Sequence, residues 1–435
     1  MKKSVCVIGG GMMGLTVAWR MINAGYDVTV MEAAPTFGGL ASAWKLGDIT
    51  WDRFYHVILL SDLSLRKVLT EIGLENEIRW VETKTGFYSG GKYYSMSNSF
   101  EFLKFPPLNL IEKFRLGGTI FFGSKMKNWK RLEGIPVEAW LRKWSGNSTF
   151  EKIWRPLLKA KLGDAYQRVS ASFIWSYITR MYRARNSGLK KEMFGYIPGG
   201  YAKILDTFTN QLQSKGAKLL SGTPTRDIRK SGNGVSVTAA NGEKHQFDRV
   251  IVTTPSPTLA RMLPELTAQE REKYEACEYL GVICSSVLLK KPLSPYYVTN
   301  ITDEWVPLTG VINMSTIVDS AETGGHCLVY LPKYVLAKDD QSFEESDHEI
   351  EQRLIGVLEK LYPEFHRDQV VAFQTARARN VMALPTLNYS EKLPPAKTSI
   401  EGVYVVNSAQ ITKGNLNVNE TIEVAEEAMT WLTTI

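Results

Sequence analysis

Apolar and small residues alternate through Ser4-Val5-Cys6-Val7-Ile8 as in a buried strand, recur at helical spacing from Met12 to Ala24, and return as a short β-branched run from Asp27 to Met31. The three segments predict a βαβ unit. Pro35, Gly38 and Gly39 mark the stretch from Ala33 to Leu40 as a loop. Beyond it the pattern predicts a helix from Ser64 to Gly73 and a hairpin from Gly86 to Tyr94 that turns at Gly90-Gly91. From Phe102 to Tyr182 the spacing is mostly helical and aromatic-rich, with Trp129, Trp140, Trp144, Trp154 and Trp175 as landmarks.

Strands then return. Gly199-Gly200 opens a helix through Leu212, the run from Ala217 to Leu220 reads as a strand, and Gly234 to Ala239 pairs with Lys244 to Phe247 across Asn241-Gly242. Val250 to Thr254 is a buried strand stopped by Pro255 and Pro257. Ser285 to Leu289, Gly310 to Asn313 and Cys327 to Leu331 predict a second sheet, followed by a helix from Glu349 to Leu361. A strand from Gly402 to Val406, an irregular loop and a helix from about Asn419 to Leu432 close the chain.

A single core stops growing at roughly 250 to 300 residues, so 435 residues imply two domains. Dinucleotide-type patterns at both ends, with unrelated patterns between, imply that one domain is discontinuous. We expect residues 1–85, 196–258 and 396–435 to form it, and 86–195 with 259–395 to form a substrate domain carrying a helical insert over about 102–191. The expected fold class is α/β, a Rossmann-like domain in discontinuous segments plus an α+β domain.

Composition narrows the function. Apolar residues at 44% and charged residues at 22% disfavour disordered, collagen-like and disulfide-scaffold classes. The four cysteines, Cys6, Cys277, Cys284 and Cys327, have neither CxxC spacing nor a nearby histidine, so no metal is expected and a cytoplasmic location is. The glycines after Ile8 break the pattern of a secretory signal, and no apolar run reaches the 18 or so residues of a membrane span. The net charge of +7 hides an asymmetry: between Glu101 and Lys191 there are 19 Lys and Arg against six Asp and Glu. This stretch is either a solvated face or a surface for something anionic, membrane headgroups or a phosphate- or carboxylate-bearing substrate. Nucleic acid is not expected, because no binding motif accompanies the charge.

Gly9-Gly10-Gly11-Met12-Met13-Gly14 matches GxGxxG between a predicted strand and a predicted helix. Gly9 permits the tight turn, Gly11 and the backbone at Met13 admit a pyrophosphate to the helix N-terminus, and Gly14 lets helix pack on strand. Glu32 closes the second strand, where a carboxylate accepts hydrogen bonds from ribose hydroxyls and repels a ribose phosphate.

The run from Glu32 to Gly39, with two glycines six and seven residues beyond the acid, resembles the extended FAD motif of flavin amine oxidases, protoporphyrinogen oxidases, phytoene desaturases and UDP-galactopyranose mutases. The resemblance makes the discontinuous domain an FAD-binding domain and implies cofactor contacts at Ala33, Gly39 and Leu40, the last standing where the family commonly has arginine. Gly199-Gly200 with the segment Thr225-Arg226-Asp227-Ile228 resembles the part whose backbone brackets the adenine, and the strand through Thr254 follows it. The run from Gly402 to Asn407 resembles the second FAD motif, whose closing helix points its positive end at the flavin; here Asn407-Ser408-Ala409 replaces the usual Gly-Asp or Gly-Glu. No cysteine lies there, so the FAD is expected to be non-covalent.

What the resemblance implies is an FAD-dependent oxidoreductase, of oxidase or desaturase type, taking a hydride from a C–N or C–C centre of a small or lipophilic, anionic substrate. The alternatives are a non-redox mutase using reduced FAD and a membrane-associated protein in which FAD is structural. His56, in Asp52-Arg53-Phe54-Tyr55-His56, stands where related proteins hold a histidine against the flavin; otherwise it is a packed core residue. Arg377-Ala378-Arg379, then Ala383-Leu384-Pro385 and Tyr389, resemble the strand and turn entering the flavin cavity. Arg377 is a candidate to grip an anionic group, or a structural ion pair. The aromatic and basic run over 102–131 is either a buried helical cap or a segment lying in the inner face of a membrane.

Overall fold

The computed structural model describes residues 2–185, 192–412 and 415–434. β1 (Ser4–Ile8), α1 (Met12–Asn23) and β2 (Asp27–Met31) form as the pattern requires. They seed a five-stranded parallel sheet in the order Lys218–Leu220, β2, β1, Arg249–Val252, Val403–Val405. Three separate stretches of chain therefore meet in one sheet. Val5, Val7, Val28, Val30 and Ile251 pack with α1 and with the helices Gly200–Ser214 and Val418–Leu432 on one face. Cys6, Ile8, Met31, Val250 and Val252 pack against the antiparallel sheet Thr225–Ser231, Gly234–Ala239, Lys244–Phe247 on the other. Burial on both faces is why these strands read as unbroken apolar runs. The strand at Arg249–Val252 ends two residues earlier than the pattern predicts, which leaves Thr253 and Thr254 in the turn beyond it.

A seven-stranded mixed sheet runs Val370–Ala383, Tyr279–Leu289, Cys327–Leu336, Gly310–Asn313, Val298–Ile301, Thr85–Ser89, Lys92–Ser95. Two of its strands outrun the expectation, because their extra residues alternate less cleanly while still pairing along the whole length of Tyr279–Leu289. One face, with Cys284, Leu288, Leu328 and Tyr330, packs on the helical region. The opposite face, with Ile283, Val287, Val329 and Leu331, packs on the helix Asp347–Leu361.

The helical region contains Ser99–Leu103, Leu110–Lys125, Trp129–Glu133, Val137–Ser145, Arg155–Leu162 and Ala171–Arg185. Trp140, Phe150, Trp154 and Trp175 join its core. Leu110–Lys125 starts in a capping box between Asn109 and Glu112. Among the described residues no helix is long and apolar enough to cross a membrane.

Gly281 lies at a bulge in the Tyr279–Leu289 pairing, where a Cβ would sit 2.6 Å from the carbonyl oxygen of Ala378 and 2.8 Å from that of Arg379. Backbone oxygens cannot give way there. Gly281→Ala should destabilise the fold by about 1–3 kcal/mol, read as a lower denaturation midpoint.

Candidate functional site

The sharp turn after β1 has room for no side chain. Gly9 has φ +104, and a Cβ on Gly14 would lie 1.9 Å from the carbonyl oxygen of Gly9. Thr253 pins the turn by donating its hydroxyl to the carbonyls of Ile8 and Gly9. Gly11 faces the other way: nothing comes closer than 3.9 Å to where its Cβ would stand, and what does is the backbone of Gly38 and Gly39. Gly38 N–H donates to the carbonyl of Gly10 at 2.8 Å, so the second glycine pair closes the cradle. α1 begins at this open side with no side-chain cap and no acid in its first turn, leaving its amide donors and dipole facing outward. Met13 contributes backbone only, since its side chain is in the core.

The Glu32 carboxylate accepts from Gly10 N–H at 2.6 Å and Ala34 N–H at 2.8 Å. Each oxygen keeps a second lone pair for a hydroxyl donor. Ala33 is exposed on the loop beside it, with Gly39, while Leu40 is half-buried against the larger core. Thr254 Oγ1 is buried without a hydrogen-bond partner among the described residues. An uncapped helix end, an open glycine face and this orphaned hydroxyl together fit a dinucleotide diphosphate.

Three expectations need correction. Arg377 lies opposite Ile283 on the sheet face that packs against Asp347–Leu361, and its guanidinium is bonded to Asp347 at 2.5 Å and the carbonyl of Glu345 at 2.6 Å. It is a structural ion pair. Tyr389 donates to the carbonyl of Ala409 at 2.8 Å from a packed cluster, so it braces the 408–410 turn rather than facing a reaction. Asn407 accepts from Ala409 N–H and donates to the Thr254 carbonyl and Ser256 Oγ, which consumes its amide in tying two turns together; Ser408 beside it is half-buried. Asp227 is gripped by Arg226 and Arg229, and Ile228 is fully buried, so their side chains are committed and the backbone, the part that the resemblance assigns to the adenine, is what remains for a ligand.

His56 is held by its own loop. Its Nδ1 lies 2.9 Å from the carbonyl of Phe54 and its ring 4.8 Å from that of Tyr201. A carbonyl only accepts, so Nδ1 carries the proton and Nε2 presents a lone pair. Burial pushes the imidazole down to about 4, so it is neutral at neutral pH. With Trp51, Asp52, Tyr201 and Met314 it lines a small cavity of about 10 Å³. Asp52 accepts from Tyr201 N–H at 2.9 Å at the start of the Gly200–Ser214 helix, and burial pushes its carboxyl up to about 8.

Sequence reasoning left two groups unassigned. Tyr55 and Tyr334 place their hydroxyls 3.3 Å apart, with Lys161 Nζ 3.0 Å from the centre of the Tyr334 ring. Separately, a cavity of about 480 Å³ lies between the helices Leu110–Lys125, Ala171–Arg185 and Val418–Leu432, lined by Ser61, Asp62, Lys125, Trp129, Arg180 and Asn415 among others. Arg180 pairs with the buried Asp62 at 3.1 Å there. Tyr55 is a candidate from the sequence for lining the cavity beside His56; for the rest only the basic charge of 101–191 gives a hint.

The family model described as "Flavin containing amine oxidoreductase" matches residues 12–425. The chain is 24% identical, over 60% of each protein, to a probable zeta-carotene desaturase of Synechococcus elongatus. It is 25% identical to the coproporphyrinogen III oxidase of Bacillus subtilis, over 61% of this chain and 63% of that one. It thus spans about three fifths of the length of these curated relatives. In fold it resembles an oxidoreductase from Methanosarcina mazei, with a TM-score of 0.77 and 20% identity over 98% of this chain and 100% of the other.

The Asp52 carboxyl yields a pH prediction. Its folded pKa is raised from 3.8, so the unfolded chain ionises first and stability falls as pH rises between about 4 and 8, by up to about 1.4 kcal/mol per pH unit. Asp52→Asn should flatten that slope in denaturation curves taken across this range.

Proposed function

We propose that this chain, which belongs to the flavin-containing amine oxidoreductase family, binds FAD non-covalently and oxidises a C–C or C–N centre of a lipophilic substrate that it meets at a membrane surface. FAD, when bound, supplies a two-electron acceptor for the substrate's hydride. The protein supplies placement. The α1 amides and dipole hold the diphosphate, Glu32 takes the ribose hydroxyls, and Thr254, beside the Gly9 turn, keeps a buried hydroxyl without a partner among the described residues. His56 Nε2 offers a neutral acceptor fixed by the Phe54 contact, able to hold a substrate hydroxyl or amine in one orientation but too weak a base to stay charged at neutral pH.

One observation carries the substrate half of this reading: the helix Leu110–Lys125 turns an apolar face to the outside. Glu112, Lys113, Leu116 and Thr119 are buried, while Leu110, Ile111, Phe114, Phe121 and Phe122 point outward, Ile111 and Phe114 being 72% and 74% exposed. A soluble surface helix keeps its outer face polar. Phe100 and Leu103 extend the patch, and Lys104 and Lys125 sit over the rings of Phe100 and Phe121. Apolar side chains among acyl tails with lysines at phosphate level describe an interfacial helix. Seven Lys and Arg against two Glu over 99–131 favour an anionic bilayer, and they oppose a self-dimer, which would set like charges face to face. The 480 Å³ cavity begins at Ser124 and Lys125, the end of this same helix.

The redox reading is preferred to a mutase because the curated proteins that this chain resembles are desaturases and porphyrinogen oxidases, and part of the basic stretch is already paired. Arg142 pairs with Glu138 and Glu151, Lys152 with Glu112, Arg155 with Glu151, and Arg168 with Glu278.

Anaerobic addition of porphyrinogens, carotenoid precursors, polyamines or nucleotide sugars to the purified flavoprotein separates the classes. A lipophilic compound should bleach the flavin bands; bleaching by polyamines alone would contradict this substrate class. Sedimentation with phosphatidylglycerol vesicles should carry the wild type down, and Ile111→Glu with Phe114→Glu should weaken binding at least tenfold. Failure of the wild type to bind such vesicles would remove the membrane part of the proposal.

A further inference from the structure

Lys161 stands near the C-terminus of the helix Arg155–Leu162, whose last turn is pinned where Thr309 donates its hydroxyl to the carbonyl of Ala160 at 2.7 Å. Unlike Arg142, Lys152, Arg155 and Arg168, it has no carboxylate within ion-pair distance among the described residues. Its ammonium end lies instead over the Tyr334 ring, beside the Tyr55–Tyr334 hydroxyl pair. Tyr55, Tyr177, Tyr334 and Lys161 each keep part of their surface open, yet burial is the leading cause of every one of their titration shifts. Groups that are both accessible and desolvated face an internal gap rather than bulk water. Tyr55 directly precedes His56 in the chain.

The polar lining of the gap is one-sided. Burial keeps both phenols protonated, so they are donors, and Lys161 adds an amine. The charged groups on elements packed against the helix are occupied or remote. Glu151 is bonded to Arg142 and Arg155, Lys152 to Glu112, Lys333 to Ser342, and Asp164 is exposed. Asp52, whose influence reaches Tyr330 in this cluster, is itself held protonated at neutral pH by burial. Among the described residues no ionised carboxylate there balances a cation; only the face of the Tyr334 ring meets it. A buried amine without a counter-ion is driven towards its neutral form, and an arriving anion reverses this by supplying the missing partner.

Resting on the flavoprotein reading above, we propose that Lys161, with the Tyr55 and Tyr334 hydroxyls, is the point at which the substrate's carboxylate is held, so that the substrate is a lipophilic acid. Binding is then a proton-coupled event: burial lowers the pKa of the free amine and the carboxylate raises it again, so Lys161 Nζ gains proton occupancy as the carboxylate settles against it. Affinity falls as pH rises, by about tenfold per unit above the pKa of the free amine.

The test titrates the purified protein with decanoate and with n-decanol, following the flavin spectrum and the heat of binding in two buffers of different ionisation enthalpy. Decanoate should bind at least about tenfold more tightly than the alcohol, with a net proton uptake that decanol does not show. Lys161→Met should abolish both the preference and the proton uptake, and Lys161→Arg should restore the preference without the uptake. Equal affinities in the wild type, or unchanged preference and uptake in Lys161→Met, would overturn the proposal. Should Lys161→Met not fold, the wild-type comparison decides alone. A protein without flavin would sink the earlier reading, while calorimetry would still decide the carboxylate site.

Discussion

The structure depends on a contact with no room in it: the α carbon of Gly14 against the carbonyl oxygen of Gly9. That approach lets α1 start immediately beyond β1, so the helix aims its free amides at the point where the parallel strands end. Everything placed nearby arrives by strand pairing. Arg249–Val252 delivers Thr253 to lock the turn and Thr254 beside it, and Val403–Val405 delivers Asn407, whose amide joins the two deliveries by bonding the Thr254 carbonyl. A site assembled from three distant stretches is thus made rigid by one sheet.

Around that frame two ionisable groups are held in uncharged forms. His56 and Asp52 are shifted in opposite directions by the same cause, loss of water, and neither carries charge at neutral pH. Lys161 is under the same pressure. An interior lined with tyrosines and neutralised titratable groups suits a lipophilic substrate, and leaves an incoming anion as the natural counter-charge for the lysine. On the outside the logic is reversed, with phenylalanines turned to solvent on Leu110–Lys125. Both features accord with a substrate that partitions into membranes and carries one polar end.

Local chemistry made the cofactor cradle readable. Turn, helix start and acid all lie within Gly9 to Glu32, where spacing alone determines geometry. Arg377 was misassigned because the face a strand residue presents depends on its pairing partner, and pairing with Ile283 turns it towards Asp347–Leu361. Asn407 and Tyr389 were placed near the right turns, but only the fold reveals that their polar atoms are consumed by backbone. The apolar stripe of Leu110–Lys125 was visible as a periodicity; which side meets the core was not, since that is fixed by the burial of Glu112, Lys113 and Thr119. Lys161 was one cation among nineteen in its stretch, and its lack of a partner is a three-dimensional fact.

The most direct measurement of the central claim is a titration of the purified wild-type protein with FAD, followed by desalting and a visible absorption spectrum. The account predicts one FAD retained per chain, released intact on denaturation because no covalent bond holds it. A protein that stays colourless after FAD has been supplied would contradict it.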